Sequence, residues 1–370
     1  MKIYAAAFSD RGRNLINQIG TIPLSVDYGT VPLLCGGTWV KSETTLRIRK
    51  QETLEQWTAE AFTAGAPLIF VGAAGIAVRA VAAQAASKRT DSPVLVVDEQ
   101  GRFVIPLLSG HLGGANELAM QLAGGLGAMP VITTATDVNG VFAADVFARK
   151  NNLTVTDTAG IAKVSARLLR GEKTGVAVEG MERQVLIDCG LPENLMPLSF
   201  DTGSGEDDPL TPGIAVCSPE NSGKTKADLI LTTRDYVLGI GCKKGKSPEE
   251  MLEVLRQAQD KGTLRLEEVA AIASIDVKSK EPGLLELAQR LRRPFCVFQA
   301  KELMALPGSY TASGFVEQTV GVDNVCERAA AAAAGGGTIL VPKTAGDGMT
   351  FALARLSEEC KKKRRLKFHE

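Results

Sequence analysis

One stretch limits the folds open to this chain more than any other. Phe103-Val-Ile-Pro-Leu-Leu108 is an apolar run of strand length, and from Leu118 the apolar positions Leu118, Ala119, Leu122, Ala123 and Leu126 recur at helical spacing. Between them lies Ser109-Gly-His-Leu-Gly-Gly-Ala-Asn-Glu117, a turn rich in glycine that carries His111. A buried strand feeding such a turn and then a helix leaves backbone N–H groups open at a pocket rim, and glycines let a ligand approach the main chain. Ser109, His111, Asn116 and Glu117 crowd polar chemistry around this turn. An inert, hydrogen-bonded histidine in a tight turn satisfies the same pattern, so both readings stand at this point.

The flanking sequence repeats the strand-then-helix alternation. Strands are expected at residues 3–8, 31–35, 67–71, 94–97, 103–108 and 130–132, with helices near residues 10–18, 52–64 and 76–82. Alternation at this spacing predicts an α/β fold with parallel or mixed sheets flanked by helices, and ligands beyond the carboxyl ends of strands. Residues 36–38, 72–75, 109–117 and 133–137 all follow expected strands, so four loops are expected to line one edge. Neither G-x-x-x-x-G-K-[ST] nor G-x-G-x-x-G occurs, which argues against a nucleotide-dependent enzyme.

The middle, residues 139–228, is less patterned and reads as a small module. A helix is expected at 159–169, short strands at 175–178 and 184–187, and a surface loop at 199–213. A separate C-terminal α/β domain, residues 229–357, starts at Tyr236-Val-Leu-Gly-Ile-Gly-Cys242. It continues through the basic turn Lys243-Lys-Gly-Lys246 to Ser247-Pro-Glu-Glu250, a helix start with Ser as N-cap and Glu three residues on. This unit reads as a carboxylate or phosphate cradle, or equally as solvated lysines in a turn. Beyond it, residues 338–341 and 349–354 suggest a final hairpin. The first domain ends near residue 138, and residues 358–370 are expected to be a solvated, mobile basic tail.

Composition narrows the function classes. The chain has 370 residues with 42 acidic and 42 basic side chains, so no global field favours nucleic acid or an anionic membrane. Aromatic residues make up only 5%, too few for base-stacking platforms. The seven cysteines are scattered without a C-x-x-C pair, which fits reduced thiols in a cytoplasmic protein. Two histidines make a zinc site a poor expectation. The amino terminus has too short an apolar run for a signal peptide, and no segment reaches the roughly 18 apolar residues of a membrane span.

Several strings together resemble one family. Residues 87–98, the 107–119 string around Ser109-Gly-His-Leu-Gly-Gly, and Val131-Ile-Thr-Thr-Ala-Thr-Asp137 are similar to the N-terminal module of the CbiG family. Gly239-Ile-Gly-Cys-Lys-Lys-Gly245, Val320-Gly-Val-Asp-Asn-Val-Cys-Glu-Arg-Ala329 and Leu340-Val-Pro-Lys343 with Met349-Thr-Phe-Ala-Leu-Ala-Arg355 resemble its C-terminal module. These are the cobalt-precorrin-5A hydrolases of anaerobic cobalamin biosynthesis. The turn after Cys242 is lysine-rich where the family is arginine-rich, and the basic tail lies outside the family pattern.

The resemblance implies a cobalt tetrapyrrole substrate whose δ-lactone is opened and whose two-carbon fragment leaves as acetaldehyde. It implies no cofactor, since the cobalt comes with the substrate. A non-catalytic tetrapyrrole-binding or channelling protein is the alternative, and contact with neighbouring pathway enzymes and self-association stay open. Lactone opening needs an activated water, an oxyanion site and an acid for the alkoxide. His111 is the expected general base, oriented by Glu117 or Ser109, with a pKa lowered by the helix N-terminus. The N–H groups near Gly113 and Gly114 would hold an oxyanion. Arg79, Lys243, Lys244 and Lys246 are candidates for the substrate's carboxylate arms. Gly72, Gly75, Gly110, Asn116, Thr134, Asp137, Gly241, Cys242 and Gly245 complete the expected substrate contacts.

Overall fold

The computed structural model describes residues 1–41, 43–87, 90–200 and 212–368. Most of the loop expected at 199–213 therefore lies outside the described residues, as do Lys88, Arg89 and His369. The chain divides into two compact units, Met1–Asp27 with Ser42–Val146, and Tyr28–Lys41 with Phe147–Glu370. Its strands are β1 (Lys2–Ala7), β2 (Thr38–Trp39), β3 (Thr45–Ile48), β4 (Leu68–Val71), β5 (Val94–Val97), β6 (Phe103–Leu108) and β7 (Met129–Pro130). Then come β8 (Leu153–Val155), β9 (Thr174–Val178), β10 (Leu195–Pro197), β11 (Ile214–Cys217) and β12 (Leu229–Thr233). The last are β13 (Tyr236–Cys242), β14 (Val269–Ile275), β15 (Phe295–Phe298), β16 (Ile339–Gly346) and β17 (Met349–Arg355). The α/β class with mixed sheets flanked by helices is borne out.

The first unit holds one six-stranded sheet in the order β3-β1-β4-β5-β6-β7. Its central strands are apolar on both faces because both are covered. Ile3, Ile69 and Leu95 join the helices Asp10–Ile19 and Ala115–Leu126 in one core layer. The alternate residues Tyr4, Phe70 and Val96 join helices Leu54–Thr63 and Ala74–Val81 in the other. There Trp57 sits edge-on to Tyr4 and Phe70, with ring centroids 5.7 and 5.5 Å away.

Strand direction overturns the expectation of one loop-lined edge. β1, β3, β4 and β5 run parallel, but β5 and β6 are antiparallel and β7 follows β6. The cause is local. Asp98 Oδ1 accepts the N–H groups of Arg102 and Phe103, both at 2.7 Å, and Gly101 turns with φ +67°, so the chain folds back at once. The loop after β4, residues 72–75, therefore lies at the opposite sheet edge from the loops after β6 and β7. Residues 31–35 form no strand, and the glycines beside β2 belong to the second unit. A Cβ at Gly37 would lie 2.4 Å from the Phe298 ring, so this glycine serves packing.

The second unit contains two sheets, ordered β10-β9-β11-β12-β8 and β16-β17-β13-β14-β15-β2. Residues 184–187 belong to the helix Arg183–Asp188 instead of the expected strand; only Leu186 is buried, while Val185 and Ile187 face solvent. The helix Val325–Ala333 is buried at every position, and the final hairpin turns at Asp347-Gly348, both with positive φ.

The described part of the basic tail, through Phe368, is ordered, which corrects the mobile-tail expectation for those residues. Ser357 caps the helix Glu358–Lys363, Cys360 is buried, and Phe368 stacks on Phe147 at 4.8 Å between centroids. Asn151 clamps the Lys367 backbone, accepting its N–H at 2.7 Å and donating to its carbonyl at 2.9 Å. Three apolar anchors at residues 360, 366 and 368 interrupt the charge run, and they decide its fate. No helix among the described residues is long and apolar enough to cross a membrane.

Candidate functional site

The turn after β6 folds tightly for reasons visible in its residues. Ser109 adopts φ +56° and its hydroxyl donates to the Asp91 carbonyl at 2.8 Å. Gly114 turns with φ +87° into the helix Ala115–Leu126. A Cβ at Gly113 would lie 2.5 Å from the Ser109 Cβ, and one at Gly110 would lie 2.7 Å from the Asn116 amide oxygen. All three glycines thus serve the fold of the turn itself.

The turn delivers His111 between two carboxylates. Nδ1 lies 3.0 Å from Asp145 Oδ1, and Nε2 lies 2.7 Å from Asp137 Oδ2. Asn116 donates to the same Asp137 oxygen at 2.8 Å and to the Thr134 hydroxyl at 2.9 Å. Thr134 is also the N-cap position of the short helix Ala135–Val138, which carries Asp137. Asp145 sits in the first turn of the helix Ala144–Lys150. The loops after β6 and β7 thus converge, as their shared sheet edge requires.

Two flanking carboxylates make the ring a cation. Burial alone pushes its pKa down, but the hydrogen bonds and charges of Asp145 and then Asp137 outweigh it and raise the value from 6.5 to about 9. This reverses the expected lowering by a helix N-terminus, whose partial charge is weaker than a carboxylate in contact. At neutral pH His111 has no free lone pair, so it is not poised as a general base. The more exposed partner is Asp137, whose side chain keeps 24% of its accessibility against 16% for Asp145 and 9% for His111. Its Oδ1 takes no hydrogen bond from any described residue.

Other expected site residues fall elsewhere. Glu117 meets Gln121 on its own helix at 3.4 Å, and the Ser109 hydroxyl donates to the Asp91 carbonyl. Gly72, Gly75 and Arg79 lie at the opposite edge of the sheet. Gly75 is inside the helix Ala74–Val81, where Arg79 Nη1 donates to its carbonyl at 3.1 Å. Sequence reasoning missed Asp145. Its surroundings, Phe142-Ala-Ala-Asp145, carry no spacing signal, and only a bare histidine in need of partners pointed to a carboxylate.

In the second unit the basic turn after β13 is a mixed-charge turn. Lys246 is buried to 6% of its side-chain accessibility and paired with Asp347 at 2.8 Å and Glu250 at 3.5 Å. It is therefore not available to a substrate. The capping box of Ser247 and Glu250 forms as expected, and with Glu249 places two acids in the helix's first turn, which disfavours a phosphate there. Gly245 has φ +75° and donates its N–H to Glu281 at 2.8 Å. Burial raises the Cys242 thiol, and Gly241 packs against Thr350. Lys243 and Lys244 stay exposed.

Residues 56–137 match the family model described as cobalamin synthesis G N-terminal, and residues 236–354 match cobalamin synthesis G C-terminus. A cobalt-precorrin-5A hydrolase of Salmonella typhimurium is 37% identical over 279 residues, 73% of this chain and 77% of that protein. The chain belongs to the CbiG family. A second member, the cobalt-precorrin-5A hydrolase of Priestia megaterium, is 30% identical over 295 residues, 78% of each chain. A probable cobalt-precorrin-5A hydrolase of Methanocaldococcus jannaschii is 23% identical over 264 residues, 70% of this chain and 74% of that one. The family resemblance of the two motif strings is thereby borne out, with the His111 turn inside the first match and the lysine turn inside the second.

The lysine turn yields a test. If Lys243 and Lys244 hold substrate carboxylates, replacing both by Ala should raise KM roughly tenfold with kcat little changed. The wild-type KM should climb with salt while that of the variant stays flat, because exposed contacts are screened. An unchanged KM would return both residues to the solvated-turn reading.

Proposed function

We propose that this CbiG-family chain is a cobalt-precorrin-5A hydrolase in which Asp137 moves the proton and the His111 cation holds Asp137 in place. The observation that carries the reading is the ring of His111 gripped by carboxylates at both nitrogens, with Asp137 the more open of the two. Asp137 Oδ1 takes a proton from water, and the oxygen of that water bonds to the lactone carbonyl carbon. The Gly114 N–H, expected to hold the oxyanion, is committed to the His111 carbonyl at 3.0 Å, so that role falls to the Gly113 N–H. The carbonyl then re-forms, the ring C–O bond breaks, and the proton on Asp137 passes to the departing alkoxide. The freed hydroxyl gives its proton back to Asp137 as the carbon–carbon bond breaks, acetaldehyde leaves, and the electron pair stays on the macrocycle to be protonated. The cobalt is substrate, and the reading assigns no resident cofactor. A cytoplasmic setting agrees with the seven free thiols.

The test is incubation of the intact chain with cobalt-precorrin-5A, reading acetaldehyde and the mass of the macrocycle together. One aldehyde per macrocycle, with the matching loss of mass, is the expected result. Tight binding of the corrinoid with no aldehyde would replace the hydrolase reading by that of a carrier.

A further inference from the structure

The lysine turn after β13 is held from one side by a carboxylate outside the motif strings. β13 and β14 run parallel, so the turn and the loop after β14, Asp276–Lys278, lie at one edge of their sheet. Glu281 bridges the two. Its Oε1 accepts the Gly245 N–H and its Oε2 the Lys278 ammonium, both at 2.8 Å, and the residue is buried. Gly283 presses on the same turn, since a Cβ there would lie 2.0 Å from the Lys246 carbonyl oxygen. From the other side, the Lys243 N–H donates to the Gly348 carbonyl at 3.1 Å. The backbone of the turn is thus pinned on both sides, while Lys243 and Lys244 stay exposed.

Local preference does not explain this glutamate. It occupies the N-cap of the helix Pro282–Leu291, yet its side chain does not cap that helix. Ser, Thr, Asp and Asn cap best, because a short side chain reaches back to the first free amides. A glutamate here leaves the cap unmade and extends one methylene further, to Gly245. Burial raises its pKa, but Lys278, the Gly245 N–H and the charge of Lys244 outweigh that and hold it below the ordinary glutamate range. Lys278 also balances the carboxylate, so the turn keeps a positive face. A broken local rule of this kind is expected where position matters more than stability.

We propose, on the reading that Lys243 and Lys244 take the substrate's carboxylate arms, that Glu281 is the positioning residue of that cradle. It touches no substrate. It fixes the backbone of the turn before the substrate arrives, so two long, flexible side chains start from one set geometry. Less ordering is then left to binding. Gly245 has φ +75° and meets open space where a Cβ would stand, so packing cannot take over the role of the Glu281 bond.

Glu281→Asp is the discriminating variant. Aspartate is the better helix cap but falls one methylene short of Gly245, so the melting temperature should hold while substrate binding weakens. Acetaldehyde release gives KM and kcat. Titration of cobalt-precorrin-5A into the Asp137→Asn chain, with and without Glu281→Asp, gives Kd, so binding is read whether or not the chain hydrolyses. KM and Kd should rise about tenfold with kcat little changed, the weight of one hydrogen bond to a charged group. Glu281→Gln keeps an oxygen for the Gly245 N–H and should stay within about threefold of wild type. In a chain already carrying Lys243→Ala and Lys244→Ala, Glu281→Asp should add nothing, because its effect runs through those lysines. Unaltered KM and Kd in Glu281→Asp, or its full effect persisting without the two lysines, would overturn the proposal and leave the lysine cradle standing. Unchanged KM and Kd in the Lys243→Ala, Lys244→Ala chain would overturn the cradle reading and this proposal together.

Discussion

Asp137→Asn should cut turnover by about two to four orders of magnitude, the usual weight of one general acid–base group. The amide keeps the size of the carboxylate and its hydrogen bond from Asn116 but cannot take a proton from water. His111→Gln separates positioning from proton transfer, because it removes the cation that holds Asp137 while leaving the Asp137 carboxylate itself in the chain. In the wild type, kcat/KM should fall as pH rises through about 9, where the ring loses its proton. That limb should vanish in the Gln variant. If His111 were instead the base, activity would rise through the same pH. Stability carries the same signature. The folded ring holds its proton to about pH 9 and the unfolded ring only to 6.5, so the stabilisation is complete below pH 6.5 and lost as pH climbs to about 9. Gln at this position should flatten the slope. A pH profile unchanged by His111→Gln would sink the assignment.

Gly239→Ala should be among the most damaging single methyl additions in the second unit. A Cβ there would lie 1.9 Å from the Cys326 carbonyl and 2.9 Å from both the nitrogen and the Cβ of Ala330. All of these belong to the buried helix Val325–Ala333, so β13 and that helix touch backbone to backbone. Neither element can move without opening the core, and a loss of roughly 4 kcal/mol or more is expected in urea unfolding. Gly245→Ala is the control. It meets open space, and only its φ of +75° is strained, so the loss should be near 1 kcal/mol. Equal stability of the two variants would contradict this account of the Gly-Ile-Gly string.

Much of this was legible in the residues. β13 falls on Tyr236–Cys242 as its apolar run demands, and the Ser247-Pro248-Glu250 start forms its capping box. These signals are local, and local signals survive packing. The direction of β6 was also written in the sequence. Five residues separate Val97 from Phe103, far fewer than the ten to twelve that a parallel crossover needs. Applying that rule would have placed Gly72 and His111 at opposite edges from the start. Residues 31–35 are apolar enough for a strand, and Val31 is indeed buried, but core contact does not require a ladder partner. The partners of His111 were the least legible. Asp137 and Asp145 lie 26 and 34 residues along the chain, and only the fold brings them to the ring. Tail burial depended likewise on Phe147 and Asn151, which nothing near residue 368 announces.

The path of residues 28–41 bears on how the chain can be made. This segment leaves the first unit, supplies β2 to the edge of the last sheet beside β15, and returns to continue the first unit. On the ribosome it emerges early, yet Cys296, which pairs with Trp39, is synthesised only after most of the remaining chain. The second unit therefore cannot close its sheet while the chain is still short, and Trp39 waits unpaired through much of translation. A fragment that begins at Phe147 would lack that strand altogether and leave β15 as a bare edge, open to pairing with other copies. Splitting this protein into separately expressed halves should accordingly yield an aggregating C-terminal piece, and supplying residues 28–41 as a peptide is the remedy the connectivity suggests.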